Sequence, residues 1–352
     1  MITISLCMIV KNEETVLERC LSSVADIMDE IIIVDTGSTD RTKEIAFKFT
    51  EKVYDFPWVD DFSEARNFSY EKATMDYQMW LDADDIILPE EKEKLRTLKS
   101  MLTQDIDMVV MKYNTSFDEN GNPILTSFRE RLTKRSKKFK WQEPVHECIP
   151  LTNNFLKTDI TITHKKDDYE KTLDRNLKIY EKIEHTGKIM TPRQQYYFAR
   201  ELKDHGQLER AAHYFELFLA GKEGWVEDEI ASCYNLALCY KSTGREAEVL
   251  PILIKSFEYD TPRAEICCEL GYYYKRKGEY QKAIDWFLLA ACLKEPASLG
   301  FILKDYWGYI PNIELCVCYY QINDKHKAKH YNEQAARFKP NSPAVIANRK
   351  FF

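Results

Sequence analysis

Apolar runs alternate with polar turns through the first half of this 352-residue chain. The run Thr3 to Val10 predicts a buried strand that ends in Lys11-Asn12-Glu13-Glu14. A helix is expected next, capped by Asn12 and carrying Leu17, Leu21 and Val24 on one face. Ile31 to Val34 shows no alternation and predicts a strand buried on both faces. It runs into Asp35-Thr36-Gly37-Ser38-Thr39-Asp40, a turn suited to cap a helix over Arg41 to Phe49. A short strand over Val53 to Phe56, a helix over Ser63 to Ala73 and a strand over Tyr77 to Leu81 follow. The last ends in Asp82-Ala83-Asp84-Asp85, before a helix from Pro89. This β-α-β-α-β order predicts a parallel sheet flanked by helices. Such sheets bind ligands beyond the carboxyl ends of their strands. Three polar clusters fall there: Asn12-Glu13, Asp35 to Asp40 with Ser38 among them, and Asp82 to Asp85.

From Asp107 the pattern changes. Met108 to Met111 reads as a strand and Asp118 to Pro123 as a turn. Ser127 to Leu132 and Thr158 to Thr163 alternate, so a mixed sheet is expected, beginning parallel and finishing antiparallel. The second half is helical and repeats. Aligning Gly206, Gly244, Gly278 and Asn323 brings Phe198-Ala199, Leu236-Ala237, Leu270-Gly271 and Leu315-Cys316 into one register. Ala211, Ala283 and Ala328 then match on the second helix, whereas the second unit has Val249 there. The anchors are 38, 34 and 45 residues apart, with an insertion around Ser298 to Gly308. The pattern resembles the tetratricopeptide repeat, a helix-turn-helix unit of about 34 residues. The unit from Ala264 to Pro296 matches best, and about four units are expected. The predicted organisation is an α/β domain over 1–170 and an all-α repeat domain over 171–352.

Composition narrows the function classes. With 44% hydrophobic and 30% charged residues the chain reads as globular. A net charge of −7 argues against nonspecific nucleic-acid binding. The apolar runs fall short of the roughly 18 residues of a membrane span. Met1 to Val10 lacks a charged leader and a small-residue cleavage site, and so reads as a strand. Ten scattered cysteines contain no CxxC pair, which disfavours zinc ribbons and thioredoxin-like sites. Buried reduced thiols, and hence a cytoplasmic setting, are expected.

The chemistry concentrates in the polar clusters. Asp82 and Asp84, two positions apart on a turn, can grip a divalent cation that in turn holds a diphosphate. An isolated acidic turn is more often solvated; here it follows a buried strand. Asp35, at the preceding strand end, is placed to accept from a base or ribose, or else belongs to the turn. Arg129 and Arg131 alternate on one strand, with a phosphate-facing reading and a solvated reading equally open. Lys134 to Lys140 reads as a solvated edge. In Trp141-Gln142-Glu143-Pro144-Val145-His146-Glu147, the residues after His146-Glu147 exclude an HExxH zinc site.

Met8 to Glu14, Val34 to Asp40, Trp58 with Asp61 to Asn67, and Leu81 to Asp84 together resemble the family 2 glycosyltransferases with the GT-A fold. The bacterial members joined to tetratricopeptide repeats are most similar, with the bacteriocin S-glycosyltransferases near that group. The resemblance implies transfer from a nucleoside diphosphate sugar, a UDP-sugar by family habit, with Mn2+ or Mg2+. It implies Asp35 at the nucleobase, Asp82 at ribose or metal, and Asp84 at the metal. Arg66 is expected near the diphosphate, or in a helix-surface salt bridge with Glu64. His164 is expected to complete the metal shell. Asn12, Glu13, Ser38 and Arg131 complete the candidate donor site. Inverting transfer needs a carboxylate base; Glu147 is the candidate, Asp85 stands behind it, and His146 orients pyrophosphate or acceptor. Glu147 as the partner of a basic side chain is the competing reading.

The repeats are expected to bind a peptide or protein acceptor, O- or S-linked, or to form a homodimer. A polysaccharide or lipid-carrier acceptor is an alternative, although no basic amphipathic helix is evident for stable membrane contact. Two other classes compete. One is a retired transferase domain on an interaction scaffold, which has no need of Asp35, Asp84 or Glu147. The other is a nucleotidyltransferase, which usually carries a glycine-rich phosphate loop where this chain has Lys11 to Glu14.

Overall fold

The computed structural model describes residues 1–165 and 173–352. It divides into two compact units, Met1–Lys188 and Ile189–Phe352. The domain boundary expected between 170 and 171 lies outside the described residues.

In the first unit, β1 (Ile4–Val10), β2 (Glu30–Asp35), β3 (Val53–Asp55) and β4 (Tyr77–Trp80) pair in parallel in the order β3-β2-β1-β4. Helices α1 (Leu17–Val24), α2 (Thr42–Phe47) and α3 (Phe62–Lys72) supply the crossovers. The α1 stripe Leu17, Cys20, Leu21 and Val24 is buried at helical spacing. It packs with Ile4, Leu6 and Met8 of β1 and Ile33 of β2 in one core.

Asn12 does not cap α1, which begins five residues later without a side-chain cap. Asn12 instead takes a left-handed backbone, φ 56°, and its Oδ1 accepts from the Thr39 amide at 2.8 Å. A short amide side chain tolerates that conformation. Asp61 caps α3, accepting from the Glu64 amide at 3.2 Å.

After β5 (Asp85–Ile86) and α4 (Pro89–Met101), β6 (Met108–Phe117) and β7 (Pro123–Lys134) form a hairpin across the Asp118 to Asn122 turn. β7 pairs antiparallel with β4, which carries the sheet from its parallel to its mixed half. The expected antiparallel finish is incomplete: β8 (Phe155–His164) runs parallel to β6 and antiparallel to β5. That β5 contact draws His164 beside Asp85. Helix α5 (Leu173–His185) closes this unit.

At the start of β2, Glu30 is buried. It accepts from Ser5, Lys52 and Thr74, whose amide and hydroxyl lie at 2.8 and 2.9 Å. Burial works against its charge, but these donors outweigh it and hold the carboxyl down at about 2. A depressed folded pKa stabilises above the unfolded value of about 4.3, and that stabilisation is lost as pH falls towards 2. Glu30→Gln is therefore expected to cost about 2 kcal/mol at pH 7 and about half of that at pH 3. Urea midpoints at the two pH values measure this.

The second unit stacks helical hairpins: α6 (Pro192–Asp204) with α7 (Leu208–Gly221), α8 (Val226–Ser242) with α9 (Glu246–Lys255), α10 (Ala264–Arg276) with α11 (Tyr280–Cys292), and α12 (Tyr309–Gln321) with α13 (Lys325–Phe338). Helix α14 (Pro343–Asn348) follows. Gly206, Gly244 and Gly278 end the first helices at φ 74–76°, and Asn323 takes the same place at φ 63°. Thr191 and Gln194 form a capping box at the start of α6.

The aligned small residues allow close packing. A Cβ on Gly271 would stand 2.7 Å from the ring of Phe287, which is fully buried among Cys267, Cys268, Ala283 and Leu315. Gly271→Val is expected to destabilise by about 2–3 kcal/mol through overpacking, read as a lower urea midpoint.

Of the ten cysteines, Cys292 is exposed and Cys148 partly so, and the other eight are buried. No helix among the described residues is long and apolar enough to cross a membrane.

Candidate functional site

The three polar clusters do meet at the carboxyl ends of β1, β2 and β4. The loops are stitched by side chains: the Asn12 amide donates to Ser38 Oγ at 2.9 Å, and the Glu13 amide to Thr42 Oγ1 at 2.7 Å. Asp40 Oδ2 accepts from the Glu14 amide at 3.2 Å and its Oδ1 from Thr42 at the start of α2.

Asp35 is buried at the end of β2. Its Oδ2 accepts from the Gly37 and Ser38 amides at 3.0 and 2.9 Å. Its Oδ1 is buried with no partner among the described residues. A buried carboxylate oxygen left without a donor is costly, and a bound ligand's N–H or O–H would relieve it.

Asp84 and His164 face each other across the turn, Oδ1 to Nδ1 at 3.2 Å, with side chains 20% and 23% exposed. Asp85 Oδ1 lies 3.5 Å from the same nitrogen. Asp84, Asp85 and His164 form a group able to hold a metal ion, the only one among the described residues. Asp85 is itself fully buried. Its Oδ2 accepts from Arg131 at 2.9 Å and from the Asp82 amide at 3.1 Å, and its Oδ1 from the Tyr113 hydroxyl at 2.9 Å. The imidazole loses by burial but gains more from Asp84 and Asp85, which raise it to about 10. Glu13 is driven up to about 7 by burial first, then by Asp84 and Asp82. The rise of His164, and the lesser share of the Glu13 rise that comes from Asp84 and Asp82, report negative charge that a divalent cation would neutralise.

Arg66 lies at the junction of the two halves of the site. Its Nη2 donates to Asp82 and its Nε to Glu147, each at 2.6 Å. The guanidinium lies over Trp80 at 4.7 Å and over Trp141 at 4.8 Å. It is therefore a buried clamp and not a helix-surface ion pair with Glu64. Burial disfavours the Asp82 charge, but Arg66 and then Arg131 more than return it, so the carboxyl falls to about 2.

Asp82 thus faces Arg66, apart from the Asp84–His164 pair. Glu147 reaches the site with one oxygen committed to Arg66. His146, at φ 53°, stacks on Tyr180 with ring centroids 6.4 Å apart. Arg131 is wholly buried behind the loop, over Trp80 at 3.7 Å and Tyr113 at 4.3 Å, away from any open face. Arg129 donates to the Glu147 carbonyl at 3.0 Å and stacks on the same tryptophan.

Trp80 and Tyr113 carry no functional signal in the sequence. Both sit inside strands whose apolar pattern reads as plain core.

An α/β sheet with acidic and imidazole groups at its strand ends, joined to a stack of helical hairpins, is the architecture the structure defines. Residues 5–159 match the family described as "Glycosyl transferase family 2", and residues 264–294 match "Tetratricopeptide repeat". The chain therefore carries a family 2 glycosyltransferase domain and a tetratricopeptide repeat. A TPR repeat-containing protein of Synechococcus elongatus is 38% identical over 151 residues, 42% of this chain and 36% of that protein. The SPbeta prophage-derived glycosyltransferase SunS of Bacillus subtilis is 36% identical over 149 residues, 41% and 34% respectively. The chain thus spans about a third of the length of these relatives. A solved structure of MamA superposes at TM-score 0.36 with 16% identity, over 48% of this chain and 87% of that one.

Proposed function

We infer that the protein is an inverting, divalent-metal-dependent glycosyltransferase. It moves a sugar from a nucleoside diphosphate donor, a UDP-sugar, to a peptide or protein acceptor through oxygen or sulfur. The observation that carries this reading is the Asp84–His164 pair at the strand ends, in the same rim as the unpartnered oxygen of Asp35. Asp84 and His164 would hold the ion; carboxylate oxygens suit Mg2+ and Mn2+, and the imidazole favours Mn2+ of the two. When bound, the ion supplies charge neutralisation for the departing nucleoside diphosphate. Asp35 Oδ1 accepts from the nucleobase or ribose. Glu147 Oε1 stays on Arg66, and Oε2 takes the acceptor's proton. The helical repeats favour an extended polypeptide acceptor, since stacked repeats present long continuous faces. The eight buried cysteines fit a cytoplasmic enzyme.

The deciding experiment titrates UDP, GDP and dTDP, each with Mn2+, into the protein by calorimetry and follows nucleoside diphosphate release from the matching sugars. One nucleotide is expected to bind and its sugar to turn over. Failure of all three to bind would sink the reading in favour of a scaffold. Glu147→Gln keeps the hydrogen bond to Arg66 but cannot take a proton. It is expected to lower kcat about a hundredfold and leave nucleotide affinity unchanged.

A further inference from the structure

Glu147 lies on a short closed loop. Gln142 and Cys148 exchange backbone hydrogen bonds at 2.9 and 3.1 Å, which leaves residues 143–147 as the loop between them. The root of the loop is tied to α3. Asn67 accepts from the Trp141 amide at 2.9 Å and donates to the Trp141 carbonyl at 3.1 Å. Two of the loop residues, Glu143 at φ 73° and His146 at φ 53°, take a left-handed backbone. Neither is glycine, so both conformations cost free energy and persist only where the surroundings hold them.

The loop carbonyls are held from three elements. That of Pro144 accepts from the Phe62 amide of α3 at 2.9 Å, and that of Glu147 from Arg129 of β7 at 3.0 Å. That of Val145 accepts from the Tyr180 hydroxyl of α5 at 3.2 Å. The ring of the same tyrosine stacks on His146, 17° from parallel. Tyr180 and Val145 are each 1% exposed, so solvent offers no substitute for that bond. Tyr180 thus fixes both the peptide that enters His146 and the His146 ring, and the next residue is Glu147. α5 is anchored at two further points. The Arg175 guanidinium lies over the Phe62 ring at 4.5 Å, and Lys182 bonds Asp60. Tyr180 lies outside the matched residues 5–159, yet it touches the loop that carries the candidate base.

We propose that Tyr180 is a positioning residue for the transfer: its hydroxyl and ring hold His146 left-handed and so aim the second oxygen of Glu147 at the acceptor. The inference rests on Glu147 as the base of the proposed transfer. α5 is then a working part of the catalytic unit, because a base held even about 1 Å out of line loses much of its rate advantage.

The test is a double-mutant cycle of Tyr180→Phe with Glu147→Gln in the full chain. Nucleoside diphosphate release is followed at saturating Mn2+ and sugar nucleotide, and nucleotide affinity by calorimetry. Phenylalanine keeps the stack on His146 and loses only the bond to Val145. Tyr180→Phe is expected to lower kcat about tenfold and leave nucleotide affinity unchanged. In the Glu147→Gln chain the same substitution is expected to change kcat less than about twofold, because the group it aims is already gone. A merely structural role would give the same loss in both backgrounds. Hydrogen exchange supplies a second readout: amides of 145–148 should exchange about tenfold faster in Tyr180→Phe, with those of α3 unchanged. An unchanged kcat, an equal loss in both backgrounds, or unaltered exchange in the loop overturns the proposal and leaves the transfer reading standing. A Glu147→Gln chain as fast as the native one removes the base assignment itself, and the proposal with it.

Discussion

Arg66→Met is expected to destabilise the first unit by about 3–5 kcal/mol, the cost of removing one partner from a buried ion pair. The guanidinium is 6% exposed, bonds Asp82 and Glu147 at once, and fills the space between two tryptophan rings. Methionine restores much of the volume but leaves two carboxylates facing each other with no cation between them. The pH dependence separates this cause from a packing defect. In the native protein Asp82 is held at about 2, so its contribution is present above the ordinary carboxylate value and lost as pH falls towards 2. Without Arg66 the depression of Asp82 weakens, so the variant's deficit should shrink as pH falls from 5 towards 2, where the native contribution of Asp82 is itself lost. A deficit that stays constant over that range in urea denaturation would assign the loss to packing. Arg66→Lys keeps the charge but cannot serve both carboxylates from a planar fork or stack between the rings, and should recover about half of the loss.

The clamp shows where sequence reasoning stops. Unbroken apolar runs made β1, β2 and β4 legible, and the polar residues at their ends located the rim of the site. Glycine spacing made the helical hairpins legible, down to the packing position of Gly271. Partnership was not legible. Arg66, Asp82 and Glu147 lie on α3, the end of β4 and a loop after β7, and only the folded chain brings them within 2.6 Å. Alternation along β7 set Arg129 and Arg131 on one face but could not say that this face is covered by Trp80. Asn12 looked like a cap because cap residues and left-handed turn residues share the same short polar side chains. Two-residue β5 has too few positions for any period, yet it sets His164 opposite Asp85.

Asp84→Asn is expected to abolish metal-dependent turnover, by about a thousandfold or more, while leaving the fold intact. The side chain is 20% exposed, and its closest charged neighbour is His164, so amide substitution breaks no buried pair of the kind Arg66 makes. What it removes is one of the two groups facing the open side of the turn, since Asp85 is already committed to Arg131, Tyr113 and the Asp82 amide. A ligand lost from so small a set leaves an ion poorly held, and a thousandfold rate loss corresponds to about 4 kcal/mol of charge stabilisation. The effect must appear in binding as well as rate. Calorimetry with Mn2+ and nucleoside diphosphate should show affinity falling about a hundredfold, whereas metal-free nucleotide binding through Asp35 should be unchanged. The imidazole supplies an independent sign. In the native protein His164 is raised to about 10 and carries a proton at neutral pH, so binding an ion there releases one. With Asp84 neutral, that elevation weakens and proton uptake at His164 falls. Titrations in two buffers of different ionisation enthalpy should therefore show close to one proton released on Mn2+ binding to the native chain. An Asp84→Asn chain that binds Mn2+ and nucleotide as tightly as the native one would remove Asp84 from the metal site and leave the acidic turn as a structural cap.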